Sequence, residues 1–405
     1  MTTQTSLHES IKINLGIIST LLFCFLALQP LSTDLYLPSL PAITKELGAE
    51  GARIQLTLSL FLAGFAISQL IVGPITDRFG RLPGIYSGLL LYVTGSTLCA
   101  LATSVDALIV GRIIQGLAVG AVIVSGRAVF RDSFEPEEGA KKLARVYGLI
   151  GFVPFFAPIA GSLLLMYIGW QAGFWLLTTT GFGILVFAGI KLTETNRFKN
   201  PKALDFKPIF ANYWMVFLNG RFQSFTSSAG ASFSGLFCFL SASSFVLINL
   251  MKLTPFQYSL CFSSVTVGFM VGTYLAKHQL PKLGIAGTAK RATLFHLAGG
   301  YSMLAFAIGA TQIPALIHPL VVLVPIFIYL IGHGMLQPCC QTGAVAPFPK
   351  HAGAASALLG FLMNVMAAAI SFLLASAFDG TILPMAVGVA TCASLAAIFA
   401  HRFIK

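Results

Sequence analysis

Charge is scarce in this sequence: Asp, Glu, Lys and Arg make up 9% of its 405 residues, against roughly 25% in ordinary soluble domains. Acid is scarcer than base, 13 residues against 25, which leaves a net charge of +12. No glycine is followed by lysine, so the GxxxxGKS/T loop that cradles nucleotide phosphates is absent. HExxH is absent too, and the loops are too short to assemble a Ser/His/Asp set. A membrane-embedded enzyme or a signalling receptor would need a catalytic cluster or a sizeable soluble domain, and neither is present. The chain is therefore not read as an enzyme, no cofactor or metal is expected, and any transport must draw on a gradient. The seven cysteines form no CxxC pair. Cys24, Cys99, Cys238, Cys261 and Cys392 fall in apolar runs and Cys339 and Cys340 are adjacent, so all read as small core residues.

What fills the chain is apolar: 56% hydrophobic residues and a mean hydropathy of +0.85. Windows of membrane-spanning length, roughly 18–25 residues, fall near 13–33, 54–72, 84–103, 107–126, 146–168 and 172–192. A second set falls near 230–250, 257–276, 292–310, 315–338, 353–376 and 382–401. This predicts an all-α integral membrane protein of twelve transmembrane helices in two six-helix bundles. Residues 1–192 form the first bundle, 193–221 a cytoplasmic linker with an aromatic interfacial segment (210–222), and 222–405 the second. The run from about Ile13 has the length of a span and no clear cleavage site, so residues 1–12 read as a cytoplasmic tail rather than a signal peptide.

The basic residues set the orientation. With alternating spans, 21 Lys or Arg lie on the side of the N-terminus and central linker, three (Lys45, Arg53, Lys252) on the other, and Arg112 within a span. That asymmetry places both termini in the cytoplasm. The same scatter through short loops suits anionic lipid rather than nucleic acid. Lipids, protons and a small-molecule substrate are the expected partners, and the chain is expected to act as a monomer.

GPITDRFGR (73–81) joins the second and third spans. Gly73 and Gly80 permit close approach or a turn, and Pro74 marks where a helix would stop. Asp77, Arg78 and Arg81 then face headgroups, water or the charges of GRAVFRD (126–132), namely Arg127, Arg131 and Asp132. Two readings are open: an ordinary positive-inside loop, or a conformational latch. GTYLAKHQLPKLG (272–284) repeats the pattern of span, basic loop and closing Gly in the second half, without the Asp.

Asp34 closes the first span in LQPLSTDLYLPSLP (28–41). A carboxyl this deep costs a few kcal/mol unless paired, protonated or hydrated, so it reads either as a proton-exchanging site or as an interfacial helix cap. Arg112 opens the fourth span in GRIIQGLAVG (111–120), with Gln115 one turn on. Its guanidinium stays charged; it either helps Asp34 release its proton or snorkels to the surface. In GLIGFVPFFAPIAGSLL (148–164), Pro154 and Pro158 are expected to bend the fifth span, and Gly148, Gly151 and Gly161 to pack it closely. His296 and His333 lie in spans, where packing or hydrogen bonding is the preferred role.

Taken together these segments resemble the major facilitator superfamily, and most of all the bicyclomycin/chloramphenicol-resistance (Bcr/CflA-type) branch of its twelve-span drug:proton antiporters. STDLYLPSLP (32–41), GPITDRFGR, RIIQG (112–116) with GRAVFRD, FCFLSASSFVLI (237–248) and AVAPFPKHAGAASALLGF (344–361) carry the resemblance nearly end to end. The antiporter pattern Gly-Pro-x-x-Gly-Gly of the fifth span is interrupted by Ala157 and Ser162. The resemblance implies two bundles rocking about a midplane cavity in a bacterial inner membrane, with drugs or amphiphilic metabolites leaving as protons enter. It implies Asp34 as proton acceptor, Arg112 and Gln115 as pocket or coupling residues, and Asp77, Arg127, Arg131 and Asp132 as the cytoplasmic latch. Helix position adds Gln29, Tyr36, Phe237, Ser241, Gln337 and Asn364 as cavity-lining candidates, and Pro154, Pro158 and Gly161 as the hinge. The alternative is an importer or facilitator of a nutrient (sugar, peptide or siderophore) on the same fold.

Overall fold

The computed structural model describes residues 15–196, 199–313 and 317–404. The tail assigned to residues 1–12, the first residues of the first span and Arg197 of the linker lie outside the described residues. Helices follow one another with short turns: α1 (Leu15–Asp34), a 3-10 turn (Leu37–Ser39), α2 (Leu40–Glu46), α3 (Gly51–Phe79), α4 (Arg81–Ala100), α5 (Val105–Ser133), α6 (Pro136–Ile150), α7 (Val153–Tyr167) and α8 (Gln171–Lys191). After the linker come α9 (Phe206–Phe217), α10 (Gly220–Ser244, ending in a π turn Phe245–Leu250), α11 (Pro255–Gln312), α12 (Leu320–Val345), α13 (Ala352–Ala377) and α14 (Leu383–Phe403). Among the described residues, eleven helical runs are long and apolar enough to cross a membrane.

One of those runs is two crossings. α11 has 58 residues, about 87 Å at 1.5 Å per residue, where a bilayer core needs about 30 Å. Its break is Gly284, at φ 65° and ψ −177°, a conformation that disfavours any residue with a Cβ. The helix therefore folds back there, which restores the twelve expected spans. Gly80, at φ 112°, plays the same part between α3 and α4, so both closing glycines of the weak internal repeat sit at positive φ.

Three expectations change. The 73–81 segment is not a nine-residue loop, since α3 stays helical to Phe79 and only Gly80 turns. Pro74 removes the N–H that would bond the carbonyl of Leu70, and the hydroxyl of Tyr213, from α9, donates to that carbonyl at 3.0 Å instead. The fifth span is two helices: Pro154 stands in the first turn of α7, where its missing N–H costs nothing, and Pro158 alone lies inside. The seventh span begins at Gly220 rather than near 230, because Asn219 caps it, its side chain accepting from the N–H of Phe222 at 3.0 Å.

The first six spans meet the last six along two seams, α3 against α13 and α7 against the first limb of α11. Gly360 of α13 lies so close to the amide of Gln69 on α3 that a Cβ would collide with it. Of the glycines expected to pack the fifth span closely, Gly161 does so, since a Cβ there would strike the Leu35 carbonyl, whereas one at Gly148 would meet nothing.

Candidate functional site

α1 ends at Asp34, and the chain turns at once into the 3-10 segment, which packs against α7, α10 and α11. Asp34 is thereby buried, 5% exposed, where elements of the first and last six spans converge. The hydroxyl of Thr33 donates to its Oδ1 at 2.8 Å. Tyr258 of α11 lies within electrostatic reach, its own hydroxyl engaged with Ser243 at 2.9 Å. Asp34 is thus not a solvent-facing helix cap.

Arg112 is fully buried and does not snorkel. α5 begins at Val105, so Arg112 stands about two turns inside its helix. Its Nη1 donates to the Ser32 carbonyl at 2.9 Å and to Gln115 Oε1 at 2.5 Å. The rings of Tyr36 and Phe61 cover the guanidinium at 4.9 and 4.4 Å, close enough for cation–π attraction. Gln115 in turn donates to Ser96 at 2.8 Å, Tyr92 shares a hydrogen bond with Ser32 at 2.8 Å, and Tyr36 with Thr57 at 3.0 Å. Nε and Nη2 of Arg112 have no hydrogen-bond partner among the described residues. No ion pair joins Arg112 to Asp34, although Arg112 holds the backbone two residues before it.

The remaining lining candidates separate. Tyr36 and Gln115 belong to the Arg112 network. Gln29 is half-buried on α1, and Ser241 donates back to its own helix at Phe237, whose ring packs on Phe233 at 4.8 Å. Gln337 donates from Nε2 to the Ala229 carbonyl at 3.3 Å, and Asn364 from Nδ2 to the Gly360 carbonyl at 2.8 Å. Each amide is oriented by that backbone acceptor, which leaves Gln337 Oε1 and Asn364 Oδ1 buried without a partner.

At the other end of the spans, Arg81 is the hub of the charged cluster. Its side chain, 7% exposed, pairs with Asp77 at 2.5 Å and Asp132 at 2.9 Å. Arg131 stands 3.9 Å from Asp132 and lies against Gly353, in the first turn of α13. Arg78 covers its neighbour Phe79 at 5.4 Å. Arg127 is exposed and enters no ion pair among the described residues.

Glu194, in the linker, escaped the sequence reading. Its carboxylate accepts from the N–H groups of Arg81 at 2.9 Å and Leu82 at 3.1 Å, capping the start of α4, the positive end of a helix dipole. Burial works against its charge. The N–H groups of Arg81, Asn196 and Leu82 and the nearby Lys199 prevail, holding its carboxyl below the usual glutamate range. Asn196 ties the same linker to the carbonyls of Thr76 and Asp77 at 3.3 and 3.2 Å. An acidic residue just after the sixth span was the available signal; its partners at the start of α4, Arg81 and Leu82, lie more than a hundred residues away.

The family model for the Major Facilitator Superfamily matches residues 22–372. The chain is 30% identical over 348 residues to an uncharacterized MFS-type transporter, YdgK, of Bacillus subtilis, with 85% of each chain covered. It is 28% identical over 382 residues to the multidrug resistance protein MdtL of Escherichia coli, with 94% of each covered. Among solved structures it superposes on a D-xylose-proton symporter with a TM-score of 0.75 at 15% identity, covering 96% of this chain and 98% of that one. Twelve crossings, the Gly80 turn with its Arg81 cluster and a match across most of the sequence lead to one placement: this chain is a transporter of the Major Facilitator Superfamily.

Proposed function

We propose that the protein is a proton-coupled secondary transporter that exports drugs or small amphiphilic metabolites by alternating access, within the bicyclomycin/chloramphenicol-resistance branch. The observation that carries this reading is Asp34, a carboxyl buried where α1, α7 and α11 converge between the first and last six spans. An ionisable group at such a place is a proton-exchange candidate, since its charge is tolerated only when water reaches it. Opening the seam between α7 and α11 admits water and a proton to Asp34; closing it removes the water. The resemblance to MdtL, a multidrug resistance protein, supports export and a drug-like substrate class.

In this reading Arg112 fixes the end of α1 through the Ser32 carbonyl rather than neutralising Asp34 directly. Gln29, Tyr36, Gln115, Phe237, Ser241, Gln337 and Asn364 contribute the substrate surface. The Arg81 cluster, with Asp77, Asp132 and Arg131 against α13, closes the cytoplasmic face of an inner-membrane protein whose termini are both cytoplasmic.

The test uses purified protein in proteoliposomes. Asp34→Asn abolishes substrate-induced proton movement while the protein stays folded; unchanged coupling sinks the assignment. Direction is read from cells: a deletion strain that accumulates more of the compound supports export, and one that accumulates less supports a nutrient importer.

A further inference from the structure

His296, on the second limb of α11, and His333, on α12, are bridged by one serine of α10. Ser232 Oγ lies 2.7 Å from His296 Nε2 and 2.8 Å from His333 Nδ1. The Tyr329 hydroxyl donates to the Ser232 carbonyl at 2.9 Å and fixes the serine in place.

The protons of this chain can be assigned. His296 Nδ1 faces the carbonyl of Ala292 at 3.1 Å, and a carbonyl only accepts, so Nδ1 carries the hydrogen. In the neutral ring Nε2 is then an acceptor and must receive the single hydroxyl proton of Ser232. Ser232 Oγ, having given its proton, can only accept from His333, which places a hydrogen on His333 Nδ1. The remaining nitrogen, His333 Nε2, is a bare lone pair, and no described residue bonds to it. His333 also keeps 4% exposure where His296 has none. A proton added at His333 Nε2 breaks no bond of the chain, because the imidazolium still donates from Nδ1. One added at His296 Nε2 would expel the Ser232 donor.

The surroundings suit a cation. The rings of Phe233 and Phe269 flank His333 at 6.1 and 5.8 Å between centroids, near the range of cation–π attraction. The titratable groups about it are His296 from α11 and Tyr329 on its own helix, with the thiols of Cys238 (α10) and Cys392 (α14) behind Tyr329. No charged side chain bonds to the network among the described residues.

We propose that the His333–Ser232–His296 chain is a second protonation site of the transporter, in its last six spans, with His333 Nε2 the atom that takes a proton from water. The inference rests on the proton-coupled reading above for its role in transport, but its chemistry stands on this network alone.

Nitrogen NMR of full-length, ¹⁵N-histidine-labelled protein in nanodiscs tests it, between about pH 8 and pH 5, the range in which imidazoles change charge. His333→Asn keeps an amide donor near the Nδ1 position and identifies the His333 signals by their loss; His296→Asn does the same for its partner. At the high end both buried rings should be neutral with the hydrogen on Nδ1. On acidification His333 Nε2 should move from the unprotonated to the protonated range while His296 stays neutral, and Ser232→Ala should abolish that order. A hydrogen on His333 Nε2 at the high end, protonation of His296 first, or two neutral rings throughout overturns the proposal. A titrating His333 in a protein whose proteoliposomes show no proton coupling would leave the site standing and remove only the reading it rests on.

Discussion

Ser263 donates a hydrogen bond to the backbone carbonyl of Phe155 at 2.6 Å, and one turn earlier Ser259 reaches the carbonyl of Pro158 at 2.8 Å. These two bonds stitch the first limb of α11 to α7, the seam beside Asp34. Ser259 has a second acceptor on its own helix, the Pro255 carbonyl at 3.0 Å, so Ser263 is the firmer stitch. If the seam opens during transport, both bonds break. A hydrogen bond of this kind contributes about 0.5–1.5 kcal/mol, so Ser263→Ala should shift the balance toward the opened seam roughly 2- to 12-fold. Spin-label distances across α7 and α11 read the shift; Ser259→Ala should move them less, and an unchanged distribution in both variants removes the stitch from the mechanism.

Gly161 sets how closely α7 approaches Asp34. A methyl group there would run into the carbonyl and Cα of Leu35, and backbone cannot step aside as a flexible side chain can. Gly161→Ala should therefore cost about 1–3 kcal/mol and displace the end of α1, lowering coupled transport. Gly148→Ala, whose methyl meets nothing, should be neutral, or stabilise its helix by up to about 1 kcal/mol. Thermal melting in detergent separates the two; equal behaviour would mean that the approach at Leu35 relaxes freely.

Much of this architecture is legible in the chain, because a span needs little more than a long apolar run. The closing glycines carry the turns between spans, and Gly80 and Gly284 do adopt positive φ. What is not legible depends on distant partners. Pro74 signals a helix end locally, yet α3 continues through it, and the carbonyl of Leu70 that Pro74 leaves without its N–H takes the hydroxyl of Tyr213 instead. Asp34 and Arg112 stand out as buried charges in sequence and invite pairing, yet the guanidinium is held by a carbonyl, an amide and two rings. Ser232 is one serine among several in the run SSAGASFS, and nothing local marks it as the bridge between two histidines.

Among the described residues, Arg112 is a buried cation with two unpartnered donor atoms and no carboxylate partner. Such a charge is kept at a cost in stability, and its replacement by an apolar side chain of similar length is often neutral or stabilising, by about 1–4 kcal/mol for complete buried pairs. Arg112→Met should leave the melting temperature unchanged or raised while transport is lost. Arg112→Lys should not rescue transport, because a compact ammonium cannot reproduce the planar guanidinium that lies against the rings of Tyr36 and Phe61 while Nη1 reaches Ser32 and Gln115. A clear fall in melting temperature for Arg112→Met would show that the hydrogen bonds and ring contacts outweigh the buried charge.

Glu194 makes the linker sensitive to acid. Its carboxyl is held below the ordinary value of 4.5, against the effect of burial, by the N–H groups of Arg81, Asn196 and Leu82 and by Lys199. Because the folded value is the lower one, its contribution is complete above the unfolded value. It fades as pH falls below 4.5 and through the folded value. The group is partly exposed, so the effect belongs to the local attachment of the linker rather than to the whole fold. Hydrogen exchange at the amides of Arg81 and Leu82 should rise as pH falls through that window, after correction for the intrinsic rate. Glu194→Gln, which keeps one acceptor oxygen and loses the charge, should show faster exchange at neutral pH and no further rise on acidification. A wild-type protein whose corrected exchange at these two amides is flat from neutral pH down past 4.5 would mean that the linker is held by Asn196 and its carbonyl partners, Thr76 and Asp77, and not by the carboxylate.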